Sequence, residues 1–153
     1  DRHKDAMETF LRACNESGED PVIRLEDDVQ LTSNFVSKIE AAISERPDEV
    51  IQFFSRSKYD LTLGSRYKAG NTFSMNQCYY LPQGVSKELY EYYPVWSGVQ
   101  TDPTGYDTMM AEYFGKQRKQ YWVHVPSLVQ HREAKSLIDK RRSSRRSSNT
   151  FVE

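Results

Sequence analysis

The sequence VIRLEDDVQL, residues 22–31, decides how the fold of this chain is interpreted. Its first four residues are rich in Val, Ile and Leu, which is typical of a short buried β-strand. Three consecutive carboxylates, Glu26, Asp27 and Asp28, follow at once. Because side chains alternate between the two faces of a strand, we expect Glu26 and Asp28 on one face and Asp27 on the other. The clustered acids raise the question of what compensates their charge.

Outward from this stretch, helical and strand patterns alternate along the chain. Apolar residues at helical spacing predict helices within residues 3–16, 31–46, 86–94 and 106–117. Apolar runs predict strands within residues 22–29, 48–56, 73–81 and 121–131. Residues 57–74 are polar and contain glycine, which predicts a long irregular segment. The alternation predicts an α/β domain with a mixed, mostly parallel central sheet flanked by helices.

Composition sets the limits on function. The chain has 153 residues, is 37% hydrophobic and carries a formal net charge of −1, so its overall field argues neither for nor against a nucleic-acid partner. Two cysteines, Cys14 and Cys78, are too few for a disulfide framework and are expected to be buried free thiols. No apolar run approaches 18 residues and no leader is evident, so we expect a cytoplasmic protein without a transmembrane segment.

The acidic strand end admits two interpretations. In open α/β sheets, ligands bind beyond the carboxyl ends of the strands, where these three acids are expected to lie. Adjacent carboxylates repel one another, and a divalent cation such as Mg²⁺ or Mn²⁺ compensates their charge. The alternative is a solvated turn whose acids favour the start of the following helix, with Thr32 or Ser33 as its cap. The residues alone leave both open.

The segment VIRLEDDVQLTSNF resembles the acidic strand end of GT-A fold glycosyltransferases, especially the family 25 lipopolysaccharide type and small phage-encoded enzymes. The resemblance implies a Mn²⁺ or Mg²⁺ ion that bridges the diphosphate of a nucleotide sugar, such as a UDP-sugar. It also implies a GT-A-like domain, residues 1–137, and a basic tail rich in Ser and Arg, residues 138–153. The first strand of that fold precedes its first helix, and here it is expected to be missing or supplied upstream.

A second match extends the resemblance to the metal shell. The segment YWVHVPSLVQHREAKSLI resembles the closing strand of the same fold, in which a histidine completes the shell. This implies that Asp28 and His131 ligate the metal, while Glu26 and Asp27 contact the ribose or metal-bound water. Ser136, a few residues beyond, is implied in donor binding. His124 is expected to be structural.

The acceptor side and the tail supply further candidates. TDPTGYDTMMAEYF resembles the acceptor-side loop and helix, which implies that Asp107 is the base of an inverting reaction or, in a retaining one, orients the acceptor. Asp102 is its rival, and a plain helix N-terminal acid is the alternative. Of the tail arginines, three are expected to bind the donor diphosphate, with DNA as the alternative target and a solvated tail as the bland one: Arg141, Arg142 and Arg145.

These observations predict a metal-dependent transfer of a sugar to a hydroxyl acceptor. The acceptor is a glycan such as lipopolysaccharide, or a hydroxymethylated pyrimidine of phage DNA, in which case the protein works in the host cytoplasm. For a DNA acceptor, we expect Tyr59, Tyr67 and Phe73 to stack on a flipped base. The alternatives are a metal-dependent phosphotransferase or nuclease, and a nucleic-acid-binding module in which the acidic strand end is only a turn.

Overall fold

The structure is a computed structural model that describes residues 6–74, 76–99, 101, 105–132 and 147–153. The order of its elements along the chain alternates between helix and strand. The helices are α1 (Ala6–Ser17), α2 (Phe35–Glu45), α3 (Asp60–Leu63), α4 (Val85–Tyr92) and α5 (Tyr106–Lys116), with short 3-10 helices at Gly70–Thr72 and Tyr93–Val95. The strands are β1 (Val22–Leu25), β2 (Val29–Leu31), β3 (Ile51–Gln52), β4 (Arg66–Ala69), β5 (Cys78–Leu81), β6 (Gln120–Val123) and β7 (Val129–His131).

Five strands form the central sheet in the order β1, β5, β3, β6, β4, while β2 and β7 pair separately as a small antiparallel sheet. The α/β class is confirmed, but the prediction of a mostly parallel sheet is wrong. Among the four pairs of neighbouring strands, only β3 and β6 run parallel; the other three pairs are antiparallel. The reason is that β5 inserts between β1 and β3, which both run opposite to it.

Helices cover both faces of this sheet because the buried strands are apolar on both faces. Residues of α1, α4 and α5 pack with Tyr79, Leu81 and Val123 in one core cluster. On the opposite face, Ile39 of α2 packs with residues such as Phe53 and Tyr80. The alternation along β5 therefore sends successive side chains to two different cores.

The predicted irregular segment, residues 57–74, contains α3 and β4. Strand β4, with the sequence RYKA, pairs with β6 at the sheet edge, and its residues alternate between half-buried and exposed. Its charged and polar composition hides it from a search for apolar runs, because an edge strand needs only one buried face.

Two predicted helix caps are wrong, and one helix end is confirmed. Helix α2 begins after Asn34, whose φ is 54° and whose side chain makes no capping hydrogen bond, whereas the Thr32 hydroxyl donates to the carbonyl oxygen of Val152 at 2.6 Å. Helix α4 begins at Val85 after Gly84, so Ser86 lies inside it and is buried. Gly18, at φ 54°, ends α1 as predicted and donates its N–H to the Cys14 carbonyl oxygen at 3.1 Å.

Three further expectations can be compared with the fold. Cys14 and Cys78 are buried free thiols as predicted, and burial raises their pKa to about 11 and about 12. Within the described ranges, no helix is long and apolar enough to cross a bilayer. The boundary between residues 137 and 138 stays a prediction, although residues 147–153 lie against the rest of the domain.

Candidate functional site

The topology brings the acidic segment to one edge of the sheet. Strands β1 and β3 are both antiparallel to β5, and β6 is parallel to β3, so β1, β3 and β6 share one direction. Their carboxyl ends therefore meet at the same edge, which is where open α/β sheets bind ligands. The amino end of β5 lies there too, because the backbone N–H of Glu26 donates to the carbonyl oxygen of Gln77 at 3.0 Å.

The small β2–β7 sheet places His131 beside this acidic turn. Val29 of β2 lies opposite His131 of β7 in the antiparallel register. Just beyond that pair, the N–H of Arg132 donates to the carbonyl oxygen of Asp28 at 2.9 Å. The two segments, about a hundred residues apart in sequence, are thus joined by backbone hydrogen bonds, which fix the histidine next to Asp28.

The Asp28–His131 contact has an unusual hydrogen-bond arrangement. Nε2 of His131 lies 3.1 Å from Oδ2 of Asp28, and the imidazole is almost fully buried. Its other nitrogen, Nδ1, lies 2.6 Å from the carbonyl oxygen of Arg132. A carbonyl oxygen can only accept, so Nδ1 carries the proton and the Nε2 of a neutral ring presents a lone pair to a carboxylate. Two acceptors 3.1 Å apart require a proton or a metal cation to bind them together.

Asp28 also has an unused oxygen at this position. Its Oδ1 is buried and accepts no hydrogen bond from the described residues. A buried acceptor without a donor is costly unless some group outside the protein satisfies it. A cation held by Asp28 and His131 satisfies both the facing lone pairs and this carboxylate.

Glu26 is the second acid of the site. The Tyr106 hydroxyl donates to its Oε1 at 3.2 Å, and the Gln77 amide donates to its Oε2 at 3.3 Å. Burial, and then the negative charge of Asp28, raise the pKa of Glu26 above its ordinary value. Asp27 is exposed and makes no hydrogen bond or ion pair with the rest of the described chain. The different surroundings of Glu26 and Asp27 agree with the expectation that they take opposite sides.

Asp107 lies near this site without contacting its acids. It occupies the first turn of α5, where its Oδ1 accepts the backbone N–H of Thr108 at 2.9 Å. The preceding residue, Tyr106, stacks on Phe10 with ring centroids 4.9 Å apart and reaches Glu26. The start of α5 is therefore anchored at the same edge of the sheet, and the catalytic role of Asp107 stays a prediction.

Sequence reasoning missed three polar residues at this edge: Asn76, Gln77 and Tyr106. Asn76 and Gln77 are buried, and the side-chain oxygen of each accepts no hydrogen bond within the described part of the chain. Asn76 hydrogen-bonds the hydroxyl of Tyr106, which in turn donates to Glu26. The available signal was a pair of uncharged amides directly before the buried strand CYYL, at the end of the strand that faces the site.

Other predicted residues divide into three outcomes. Phe73 cannot stack on a base, because it is 2% exposed and packs against Tyr79, Phe114 and Tyr121. Tyr59 and Tyr67 are both exposed. Several calls lie outside the described residues: Asp102, Ser136, Arg141, Arg142 and Arg145.

His124 has the local contacts of a structural residue. Its Nδ1 lies 2.8 Å from the carbonyl oxygen of Pro126, and its ring lies against Phe53 at a centroid distance of 5.7 Å. Burial lowers the pKa of His124. No contact links it to Asp28 or Glu26 in the described structure.

The donor set was compared with what a divalent cation requires. Across residues 6–74, 76–99, 101, 105–132 and 147–153, no three His, Cys, Asp or Glu side chains form a ready metal-binding group. The chain thus offers one carboxylate and one imidazole, with Glu26 behind them. Mg²⁺ and similar cations commonly keep several waters and bind through one or two protein ligands together with substrate phosphates. The two-residue site fits a cation that is shared with a phosphate ligand.

Comparison with protein-family models, with curated proteins and with solved structures gave no match.

Proposed function

We propose that the chain is a metal-dependent glycosyltransferase that moves a sugar from a nucleoside-diphosphate sugar to a hydroxyl acceptor. The observation that carries this proposal is the contact of the Asp28 carboxylate with the lone pair of His131 at the carboxyl edge of the sheet. The resemblance of the LEDDV segment and of the PSLVQH segment to GT-A enzymes adds the reaction class. A diphosphate donor, most simply a UDP-sugar, is the ligand that such a site shares with a cation.

The residues divide the work in the following way. Asp28 and His131 hold Mn²⁺ or Mg²⁺, and the hydrogen bond from Nδ1 to the Arg132 carbonyl keeps Nε2 free to ligate. When bound, the cation supplies positive charge that stabilises the diphosphate leaving group. Glu26 and Asp27 contact the donor ribose or waters of the site. Ser136, Arg141, Arg142 and Arg145 contribute donors to the diphosphate.

Transfer requires a new bond between the acceptor oxygen and the anomeric carbon as the bond from that carbon to the diphosphate oxygen breaks. Asp107 takes the proton of the acceptor hydroxyl in an inverting reaction. In a retaining reaction it orients the acceptor instead. A glycan such as lipopolysaccharide and a hydroxymethylated DNA base are the two acceptor classes, and for DNA the exposed Tyr59 and Tyr67 are the remaining stacking candidates.

Thermal unfolding with a panel of nucleoside diphosphates, each with and without Mn²⁺, tests the proposal. A ligand at a hundred times its Kd stabilises the folded state by about 2.7 kcal/mol, which raises the Tm of a chain of this size by about 5–10 °C. We expect at least one nucleoside diphosphate to give such a shift only when Mn²⁺ is present. Incubation with the matching nucleotide sugar should then release the diphosphate in the presence of an acceptor.

Asp28→Asn and Asp20→Asn make a matched pair of variants. Both remove one negative charge, but Asp20 is exposed and precedes β1, at the opposite end of the strand from Asp28. Asp28→Asn should abolish the Mn²⁺-dependent shift, whereas Asp20→Asn should keep it. If no nucleoside diphosphate gives a Mn²⁺-dependent shift to the wild-type chain, His131 and Asp28 form only an imidazolium–carboxylate pair and the transferase proposal is wrong.

A further inference from the structure

The short helix α3 and the residues before it present large apolar side chains to solvent. Tyr59, Leu61 and Leu63 are 56%, 72% and 58% exposed. Scattered exposed apolar residues are ordinary, but three within five consecutive positions are a concentrated apolar surface. Together with the exposed Arg56 and Lys58, they are called the α3 surface below.

The fold holds these side chains outward. Asp60, the first residue of α3, is 1% exposed and binds Nη2 of Arg66 at 2.7 Å. Nη1 of Arg66 donates to the carbonyl oxygen of Gly64 at 2.8 Å, and Gly64 turns the chain at φ 61°. Because Asp60 points inward, its neighbours on the helical turn point away from the core. The exposure of Tyr59, Leu61 and Leu63 is therefore imposed by a buried ion pair.

The charge of the α3 surface has one sign. Between residues 55 and 65 the only acid is Asp60, which is buried and already paired with Arg66. Arg56 and Lys58 are exposed, and Nζ of Lys58 lies 5.0 Å from the centre of the Tyr59 ring. The α3 surface thus combines two leucines, a tyrosine and two free cations.

This combination favours one kind of partner. Aliphatic side chains gain nothing from phosphates or bases, so Leu61 and Leu63 give no reason for a nucleic-acid contact. At a bilayer surface, apolar side chains enter the acyl boundary, tyrosine sits at the headgroups, and basic residues pair with anionic lipids. Each part of the α3 surface has a partner there.

We propose that the α3 surface docks the protein on anionic lipid bilayers as a peripheral contact. The proposal is independent of the metal site, since none of Glu26, Asp28 and His131 belongs to the α3 surface. It requires no membrane-spanning helix, and none is present among the described residues.

Co-sedimentation of the full chain with vesicles tests the proposal. One set contains phosphatidylcholine alone and the other contains phosphatidylcholine with phosphatidylglycerol. We expect binding to the anionic vesicles, weaker binding to the neutral ones, and a loss of the difference at high salt, because screening removes the electrostatic part. Absence of binding to the anionic vesicles, or equal binding to both sets, would overturn the proposal.

Two pairs of substitutions separate the α3 surface from general apolar exposure. Leu61→Ser with Leu63→Ser should weaken partitioning to anionic vesicles by at least about tenfold, because two apolar side chains no longer enter the bilayer. Val95→Ser with Val152→Ser changes residues that are 72% and 69% exposed elsewhere and should leave partitioning unchanged. Equal effects of the two pairs would contradict the assignment.

Charge reversal and association state complete the test. Arg56→Glu with Lys58→Glu should remove the preference for anionic over neutral vesicles. Thermal unfolding of each variant should match the wild type, since all these side chains are exposed. If size-exclusion chromatography without vesicles shows a wild-type dimer that Leu61→Ser with Leu63→Ser dissociates, the α3 surface binds a second copy and the bilayer proposal is wrong.

Discussion

At the residue scale, Glu26 carries a measurable consequence of the site's construction. Its pKa is raised from the ordinary value of 4.5 because the carboxyl is buried and lies near Asp28. A raised pKa in the folded state means that the folded protein binds more protons than the unfolded chain between the two pKa values, so stability falls as pH rises through that window. Glu26 therefore destabilises the fold at neutral pH, and the penalty is absent below pH 4.5.

Glu26→Gln should accordingly stabilise the protein more at pH 7 than at pH 4, relative to the wild type. Each unit by which the pKa is raised contributes about 1.4 kcal/mol to this difference. Urea unfolding at both pH values, in a chelator and without nucleotide, measures it. Asp20→Asn provides the comparison at an exposed carboxylate. A Glu26→Gln variant whose relative stability is the same at both pH values would contradict the burial of Glu26.

Gly70 gives a prediction about packing. A Cβ added there would lie 2.5 Å from the Cβ of Phe114 and 2.6 Å from the carbonyl oxygen of Lys119. Gly70→Ala should therefore destabilise the protein by about 2–3 kcal/mol through overpacking. Gly18→Ala has open space but a φ of +54°, so it should cost only about 1 kcal/mol. Urea unfolding of both variants checks the order, and a larger loss for Gly18→Ala would contradict it.

Part of the candidate site could be predicted from single residues, and part could not. The acids at the strand end and a histidine after the last strand were visible because charge interrupts apolar runs at both places. Asn76, Gln77 and Tyr106 carry no such interruption, and their position at the site depends on β5 running antiparallel to β1. Phe73 was misplaced because an aromatic residue in a polar segment gives no sign of the core that surrounds it.

At the scale of elements, the junction of α3 and β4 depends on the Asp60–Arg66 pair. Oδ1 of Asp60 accepts a hydrogen bond from Arg66 at 2.7 Å, while Oδ2 of Asp60 is buried without a hydrogen-bond partner in the described structure. Replacing only Arg66 leaves a buried charge unpaired, which is more costly than replacing both groups with apolar ones.

Arg66→Met should therefore destabilise the protein by up to about 3 kcal/mol, and Asp60→Leu combined with Arg66→Met should cost less than the sum of the two single changes. A double-mutant cycle in urea measures the coupling between the two side chains. Additive effects would show that the pair does not hold α3 in place, and would also weaken the argument for the outward position of Leu61 and Leu63.

Elements with a strong apolar pattern were predicted well, while those defined by their neighbours were not. Helices α1, α2 and α5 follow from apolar residues at helical spacing. Strand direction and order have no comparable signal, so the antiparallel insertion of β5 was missed. Residues 22–31 form two strands rather than one, because the three acids make a turn that sends β2 to a different sheet.

At the scale of the whole molecule, the end of the chain supports the site. Residues 147–153 lie over the region that joins β6 to β7. The N–H of Ser127 donates to Oγ1 of Thr150 at 3.0 Å, and the N–H of Ser148 donates to the Gln130 side chain at 2.7 Å. Ser127, Ser148 and Thr150 are all buried, so these hydrogen bonds are made away from solvent. They fix the strand that carries His131.

Deletion of residues 147–153 should therefore weaken both stability and metal binding. The deletion leaves the Ser127 N–H and the Thr32 hydroxyl without their partners, and each such loss costs about 1–3 kcal/mol when the group stays buried. Thermal unfolding should show a lower Tm, and Mn²⁺ titration should show weaker affinity because β7 is less fixed. Ser148→Ala with Thr150→Val keeps the chain length and removes only side-chain hydrogen bonds, so it should give a smaller effect in the same direction. A deletion variant that unfolds at the wild-type temperature and keeps the wild-type Mn²⁺ response would show that His131 is held by β2 alone.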